Sequence, residues 1–164
     1  MLYVDSSALL KHYVQEVGTV ALNAKLQEHS RFTPGVLISD IGYAEVLATF
    51  ARRLRENSSL VLETNRLEAE FQYDWLFRLS RVELDVGVLG YINELVRRNP
   101  LRGADAIHIA SALWLRDTLK LDSKMRLTGG PLIFATSDNE LKNAARMVGL
   151  DVFDPEETEL TGKP

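Results

Sequence analysis

The chain has no cysteine. That excludes thiol catalysis, disulfides and Cys-ligated zinc, and it fits a reducing compartment. Long apolar runs are also missing, and the opening Met1-Leu2-Tyr3-Val4-Asp5 carries no basic segment. Neither a secretory signal nor a transmembrane helix is expected, so a cytoplasmic location without a membrane partner is the default. Basic excess is absent too: the formal net charge is −4 and the pI about 5.4. Indiscriminate polyanion binding by the whole surface is therefore not expected. A carboxylate-rich site adds negative charge to that total, so a nucleic-acid enzyme with a local basic patch stays compatible with it.

Several chemistries fall with their motifs. There is no His-Glu-x-x-His zinc pair, no Gly-rich run ending in Gly-Lys-Ser/Thr, no Gly-x-Gly-x-x-Gly and no Gly-x-Ser-x-Gly elbow. A haloacid-dehalogenase phosphatase needs a second Asp two positions after its nucleophile; after Asp5 that position is Ser7.

What remains is a chain of 164 residues, 46% hydrophobic and 26% charged, the profile of one globular domain able to bury a sizeable core. Short apolar runs at Leu2-Tyr3-Val4, Val36-Leu37-Ile38-Ser39, Val82-Glu83-Leu84, Leu132-Ile133-Phe134-Ala135 and Val152-Phe153 read as strands. Helical patterns separate them over 17–30, 41–55, 60–79, 86–98 and 101–113, with a further helix opening at Ser6 and another running from Ser137 to Gly149. Strands alternating with helices predict a three-layer α/β/α domain around a central, mostly parallel sheet. No repeat, low-complexity tract or second-domain linker is present. Residues 1–153 are expected to form the domain. The acidic, proline-bounded stretch 154–164 is expected to be a disordered tail.

Within this frame four acids stand out. Asp5 ends the first strand, where open α/β sheets place ligands, although Asp is also a common helix cap. Glu45 falls in a stripe of small residues, Ile41, Ala44, Ala48 and Ala51, on a helix whose bulkier stripe is Tyr43, Leu47, Phe50 and Leu54; that helix is expected to be covered on both faces. A Glu at such a stripe edge also commonly snorkels to water or pairs with an Arg. Asp105 lies one turn before Ile109 on the apolar face of Ile109, Ala112 and Leu113, and a carboxylate directed there needs a partner. Asp138 repeats the strand-to-acid junction of Asp5. The Ser137/Glu140 pair has the form of a capping box, which would leave Asp138 free of capping. Carboxylates gathered at one end of a sheet repel unless protonated or joined by a cation, and oxygen-only donors select Mg²⁺ or Mn²⁺.

Taken together, Tyr3-Val4-Asp5-Ser6-Ser7-Ala8-Leu9, Glu45 within a helix, Ala104-Asp105-Ala106-Ile107-His108-Ile109-Ala110 and Phe134-Ala135-Thr136-Ser137-Asp138 resemble a PIN domain. In size and motif order the chain resembles the VapC-type toxins of prokaryotic toxin–antitoxin pairs. The resemblance implies a Mg²⁺- or Mn²⁺-dependent endoribonuclease with catalytic acids at Asp5, Glu45, Asp105 and Asp138. It implies Asp5 and Asp105 as direct metal ligands, Asp138 completing the site directly or through water, and Glu45 orienting or deprotonating the attacking water. Ser6, Thr136 and Ser137 would hydrogen-bond the carboxylates or the substrate phosphate. His108, one turn from Asp105, reads as a structural hydrogen-bonding partner rather than the general base. An antitoxin that blocks the groove and a homodimer are further implied. The rival readings are a PIN nuclease of RNA processing without an antitoxin, and a PIN-fold binding module that has lost catalysis.

Two basic groups, Arg52, Arg53 and Arg55, then Arg97, Arg98 and Arg102, are candidate RNA contacts; such clusters are more often solvated faces. The aromatic series Leu67, Phe71, Trp75 and Leu79 reads as core or dimer contact. The clearest loop runs from Leu121 to Gly130.

Overall fold

Strands that are apolar at every position, rather than at alternate ones, are buried on both faces. Such are β1 (Leu2–Val4) and, up to its final serine, β2 (Val36–Ser39); every residue of both is buried. With β3 (Ser80–Val82), β4 (Ile133–Ala135) and β5 (Asp151–Phe153) they form a wholly parallel sheet in the order β3-β2-β1-β4-β5. The computed structural model describes residues 1–32, 34–121 and 131–162. Thr33 of the expected 33–35 turn and nearly all of the expected 121–130 loop lie outside them.

The period-two alternation divides the core in two. Tyr3, Leu37, Val82 and Phe134 face one layer, made by α5 (Val86–Arg98), α6 (Gly103–Leu121) and α7 (Asn139–Met147). Leu2, Val4, Val36, Ile38 and Ala135 face the other, made by α1 (Ser6–Tyr13), α2 (Thr19–His29), α3 (Ile41–Glu56) and α4 (Val61–Phe77). The expected three-layer architecture is the observed one. Leu67, Phe71 and Trp75 are core, packed with Phe50 and Tyr13.

Three local expectations are corrected. The third strand is Ser80–Val82, two residues earlier than the apolar run suggested, because parallel pairing with Leu37–Ser39 sets its register. The face that α3 buries is Gly42, Val46 and Phe50, while Ala44 and Ala48 are exposed. A methyl group buries too little area to direct a helix when Val46 and Phe50 compete for the core.

The largest correction concerns the chain end. From Pro155 to Thr161 it forms α8, capped by Asp154, whose carboxylate accepts from the amides of Glu156 and Glu157. The acids that suggested a solvated tail are paired with distant cations instead. Lys142 contacts Asp154 and Glu157, each at 2.6 Å, and Lys11 reaches Glu156 at 2.7 Å. At Gly18, which opens α2 with φ +93°, a Cβ would sit 3.0 Å from the Pro155 and Glu156 backbone. Both the conformation and the approach of α8 call for glycine there.

Candidate functional site

The direction of the chain reverses between β1 and β4: β2 and β3 extend to one side of β1, β4 and β5 to the other. In parallel sheets the carboxyl ends of strands at such a switch point flank the ligand crevice. Asp5 leaves the end of β1, and Thr136, Ser137 and Asp138 leave the end of β4. Their two connections are joined by the Asp5 amide donating to the Ala135 carbonyl at 3.0 Å.

Asp5 does both jobs that its position allows. Its Oδ1 accepts from the Ala8 amide at 2.8 Å and so caps α1. Ser7 Oγ donates to the same carboxylate, and Thr136 Oγ1 donates to Oδ2 at 2.8 Å. Those hydroxyls are oriented in turn by main-chain amides: Ser137 N–H donates to Ser7 Oγ and Asp138 N–H to Thr136 Oγ1. The β4 connection therefore grips the β1 acid through two relayed hydrogen bonds. Asp5 is only 2% exposed. Burial pushes its carboxyl up, against the opposing pull of His108, the Ala8 amide and the hydroxyls.

A second network centres on Glu45. His108 Nε2 lies 2.7 Å from Glu45 Oε2, Ser6 Oγ donates to the same oxygen at 2.8 Å, and Tyr3 OH lies 2.9 Å from His108 Nδ1. Burial works to raise the Glu45 carboxyl, but His108 and Ser6 outweigh it and hold it below the usual range. Burial drives the Tyr3 phenol up, so Tyr3 keeps its proton. An ionised Glu45 can only accept. Nε2 therefore carries the proton that faces Glu45, and Nδ1 shares its hydrogen bond with the Tyr3 hydroxyl. Tyr3→Phe should leave Nδ1 buried without its hydrogen-bond partner, costing about 1–3 kcal/mol in urea unfolding and about tenfold or more of any Glu45-dependent rate.

Asp105, in the first turn of α6, is partly exposed rather than sunk in the core. Burial raises its carboxyl, and the charges of Asp138 and Glu45 push it further, against Arg102. Those influences tie Asp105, Asp138 and Glu45 into one electrostatic cluster. Asp138 is not free of capping: its Oδ1 accepts from the Leu141 amide at 2.9 Å and caps α7. The capping box fails because the helix begins one residue later than Ser137 would require, and a carboxylate suits the positive helix end better than a hydroxyl. Ser137 Oγ is buried without a partner among the described residues.

The arginines separate. Arg52 and Arg53 line a groove with Ser7, Ser137 and Asp138. Arg102 acts on Asp105. Arg98 pairs with Glu94 at 2.8 Å and faces a cavity that Asp5, Glu45, Asp105 and Asp138 do not line; Arg55 and Arg97 are exposed. Among the described residues no three His, Asp or Glu side chains converge closely enough, as placed, to cage a metal ion. Sequence reasoning missed Ser7 and Tyr3 as parts of the site. Ser7 lies two residues after Asp5, an available signal; Tyr3 carried none, since a buried strand Tyr is ordinary core.

The PIN domain family model matches residues 2–147. The chain belongs to the PIN domain family. Two relatives, Ribonuclease VapC45 of Mycobacterium tuberculosis (strain CDC 1551 / Oshkosh) and Ribonuclease VapC49 of strain ATCC 25618 / H37Rv, are each 32% identical to this PIN domain over 118 residues, 71% of this chain and 78% of theirs. Its fold is similar to that in the crystal structure of VapBC2 from Rickettsia felis bound to a DNA fragment from their promoter. There the TM-score is 0.64 at 12% identity, covering 94% of this PIN domain and 98% of that chain. It is also similar to FitAcB from Neisseria gonorrhoeae, with TM-score 0.50, 19% identity and the same coverage. No helix among the described residues is long and apolar enough to cross a membrane.

Proposed function

We propose that this PIN domain is a metal-dependent endoribonuclease, the toxin of a toxin–antitoxin pair. The observation that carries the nuclease reading is Asp105, whose carboxyl is raised by burial and by the charges of Asp138 and Glu45, beside the switch point that holds Asp5. Like charges held together without a counterion weaken a fold, so the arrangement makes sense as a cation site. The relatives named Ribonuclease VapC support the substrate class, and the similarity of fold to VapBC2 supports a cognate antitoxin.

The donor set, carboxylates with no sulfur ligand in the chain, fits a hard divalent cation such as Mg²⁺ or Mn²⁺. Asp5, Asp105 and Asp138 would hold it. When bound it would supply Lewis-acid stabilisation of charge developing on the phosphate and a more acidic water. The remaining work falls to the chain. His108 and Ser6 both donate to Glu45 Oε2, which leaves Oε1 to take a proton from the attacking water. Water oxygen bonds to phosphorus, the bond from phosphorus to the 3′ oxygen breaks, and the leaving 3′ oxygen takes a proton from solvent, so that a 5′-phosphate and a 3′-hydroxyl result. Ser7 and Thr136 keep the Asp5 carboxylate in one orientation.

The experiment is cleavage of a pooled RNA by the purified protein with Mg²⁺, Mn²⁺ or EDTA. Metal-dependent cuts bearing 5′-phosphates are expected; no cuts together with no metal binding would leave the binding-module reading in place. Thermal melting supplies an independent check. Metal at about 100 times its Kd should add about 2.7 kcal/mol. Asp105→Asn should raise the metal-free melting temperature, since a repelling charge is gone, and shrink the metal increment; an undiminished increment would remove Asp105 from the ligands. A homodimer, part of the same proposal, is checked by light scattering.

A further inference from the structure

The groove of about 450 Å³ that opens from Ser137 and Asp138 runs between α1 and α3, with α8 at its side. Its α3 wall has a helical register. Glu45, Thr49, Arg52 and Glu56 follow at spacings of four, three and four, so they share one face. That face starts at Glu45, in the catalytic network, and reaches Arg52 after two turns, about 11 Å along the axis. Arg53 lines the same groove.

The cations of this groove differ in availability. Lys11 is committed: it is buried and bonded to Glu16 at 3.0 Å and to Glu156 at 2.7 Å. Among the described residues Arg52 and Arg53 have no ion pair or hydrogen bond to an acid, although Glu56 lines the same wall. Guanidinium groups offer planar, forked donors that match phosphate oxygens. Arg97 and Arg98 lie outside this groove, and Arg98 is already paired.

We infer that Arg52 and Arg53 form a phosphate clamp for a single RNA strand lying in the α1–α3 groove, gripping backbone phosphates beside, not at, the bond being cut. This rests on the nuclease reading and sharpens it: one of the two basic groups in the sequence touches substrate, and Arg97 and Arg98 of the other do not. Glu56, on the same face, opposes the strand electrostatically.

The test is fluorescence anisotropy with a 5′-labelled single-stranded RNA 12-mer of mixed sequence, in EDTA. Every protein carries Asp105→Asn to prevent cutting and to remove one anion-repelling charge. Cleavage of pooled RNA by the wild-type protein is measured in parallel. Arg52→Gln/Arg53→Gln should weaken binding tenfold or more and flatten the plot of log K against log salt by about 1.4, the share of two single-strand phosphate contacts. Glu56→Gln should tighten binding, and Arg97→Gln/Arg98→Gln should leave affinity and slope unchanged. An unaltered slope in Arg52→Gln/Arg53→Gln, with RNA still bound and the wild-type protein still cutting, overturns the clamp but keeps the nuclease. An equal loss in Arg97→Gln/Arg98→Gln overturns it as well, because the contact would then be diffuse. No RNA binding by the parent and no cutting by the wild-type protein would sink the nuclease reading and the clamp with it.

Discussion

Asp5→Asn is expected to abolish RNA cleavage, by at least about a hundredfold, while leaving the protein folded and no less stable at neutral pH. The two effects separate because Asp5 has two functions that asparagine divides. Its Oδ1 caps α1 by accepting from the Ala8 amide, and an asparagine carbonyl accepts there almost as well. Thr136 Oγ1, which now donates to Oδ2 and accepts from the Asp138 amide, can accept from an amide group instead. What asparagine cannot supply is the negative charge that would hold a cation and stabilise the reacting phosphate, the kind of electrostatic contribution whose loss costs a hundred- to a thousandfold. The stability sign follows from the raised carboxyl of Asp5, whose first cause is burial. A group raised in the folded state favours folding when protonated and loses that contribution as pH rises through the folded value. At neutral pH the wild-type protein carries the cost of a buried charge that the variant lacks. The stability advantage of Asp5→Asn should therefore shrink in acid. Rate and stability are read by cleavage assays and urea unfolding across pH. A variant that keeps its cleavage rate would remove Asp5 from the catalytic acids; one that loses activity only by unfolding would make Asp5 a cap and nothing more.

Lys142→Met, well outside the acidic cluster, carries an expected loss of about 3–5 kcal/mol of folding stability. The Lys142 and Asp154 side chains are only 7% and 5% exposed and stand 2.6 Å apart. Removing the ammonium strands a carboxylate that also caps α8, and an uncompensated buried charge costs far more than the pair itself contributes. Burial works against the charge on Lys142, but its bonds to Asp154 and Glu157 win and raise it. The pairing therefore holds from neutral pH upward, until the raised lysine itself deprotonates. Adding Asp154→Asn to Lys142→Met should restore much of the loss, because asparagine still caps the helix and carries no charge. The acid side behaves oppositely. Hydrogen bonding to Lys142 is the first cause holding the Glu157 carboxyl below its usual range. Its contribution is present above the ordinary carboxylate range and is lost as pH falls through the lowered value. The gap between wild type and Lys142→Met should thus narrow in acid. Urea unfolding at several pH values checks both signs, and limited proteolysis should show α8 released first in the single variant. A Lys142→Met protein within about 1 kcal/mol of wild type, with α8 still protected, would show that Asp154 finds another partner.

The sequence by itself determined the layered α/β plan, since strand runs and helical periodicity are local and each element is long enough to show its period. It also marked Asp5 and Asp138, because an acid directly after a buried strand needs no tertiary knowledge to be noticed. The tertiary structure decided which partner each group meets. Tyr3 and His108 are 105 positions apart and bonded; Lys11 and Glu156 are 145 apart and bonded. No local pattern couples such pairs, so the orientation of Glu45 and the docking of α8 stayed hidden. Acidic composition even pointed the wrong way for α8, because composition counts charges without showing their counterions. Packing likewise overruled the small-residue stripe of α3, leaving Ala44 and Ala48 exposed. The six arginines look alike in the sequence; they differ once the fold sets Arg52 and Arg53 in the groove and pairs Arg98 with Glu94. A side chain's identity is fixed by the chain, but its partners are fixed by what the rest of the fold brings within hydrogen-bonding distance.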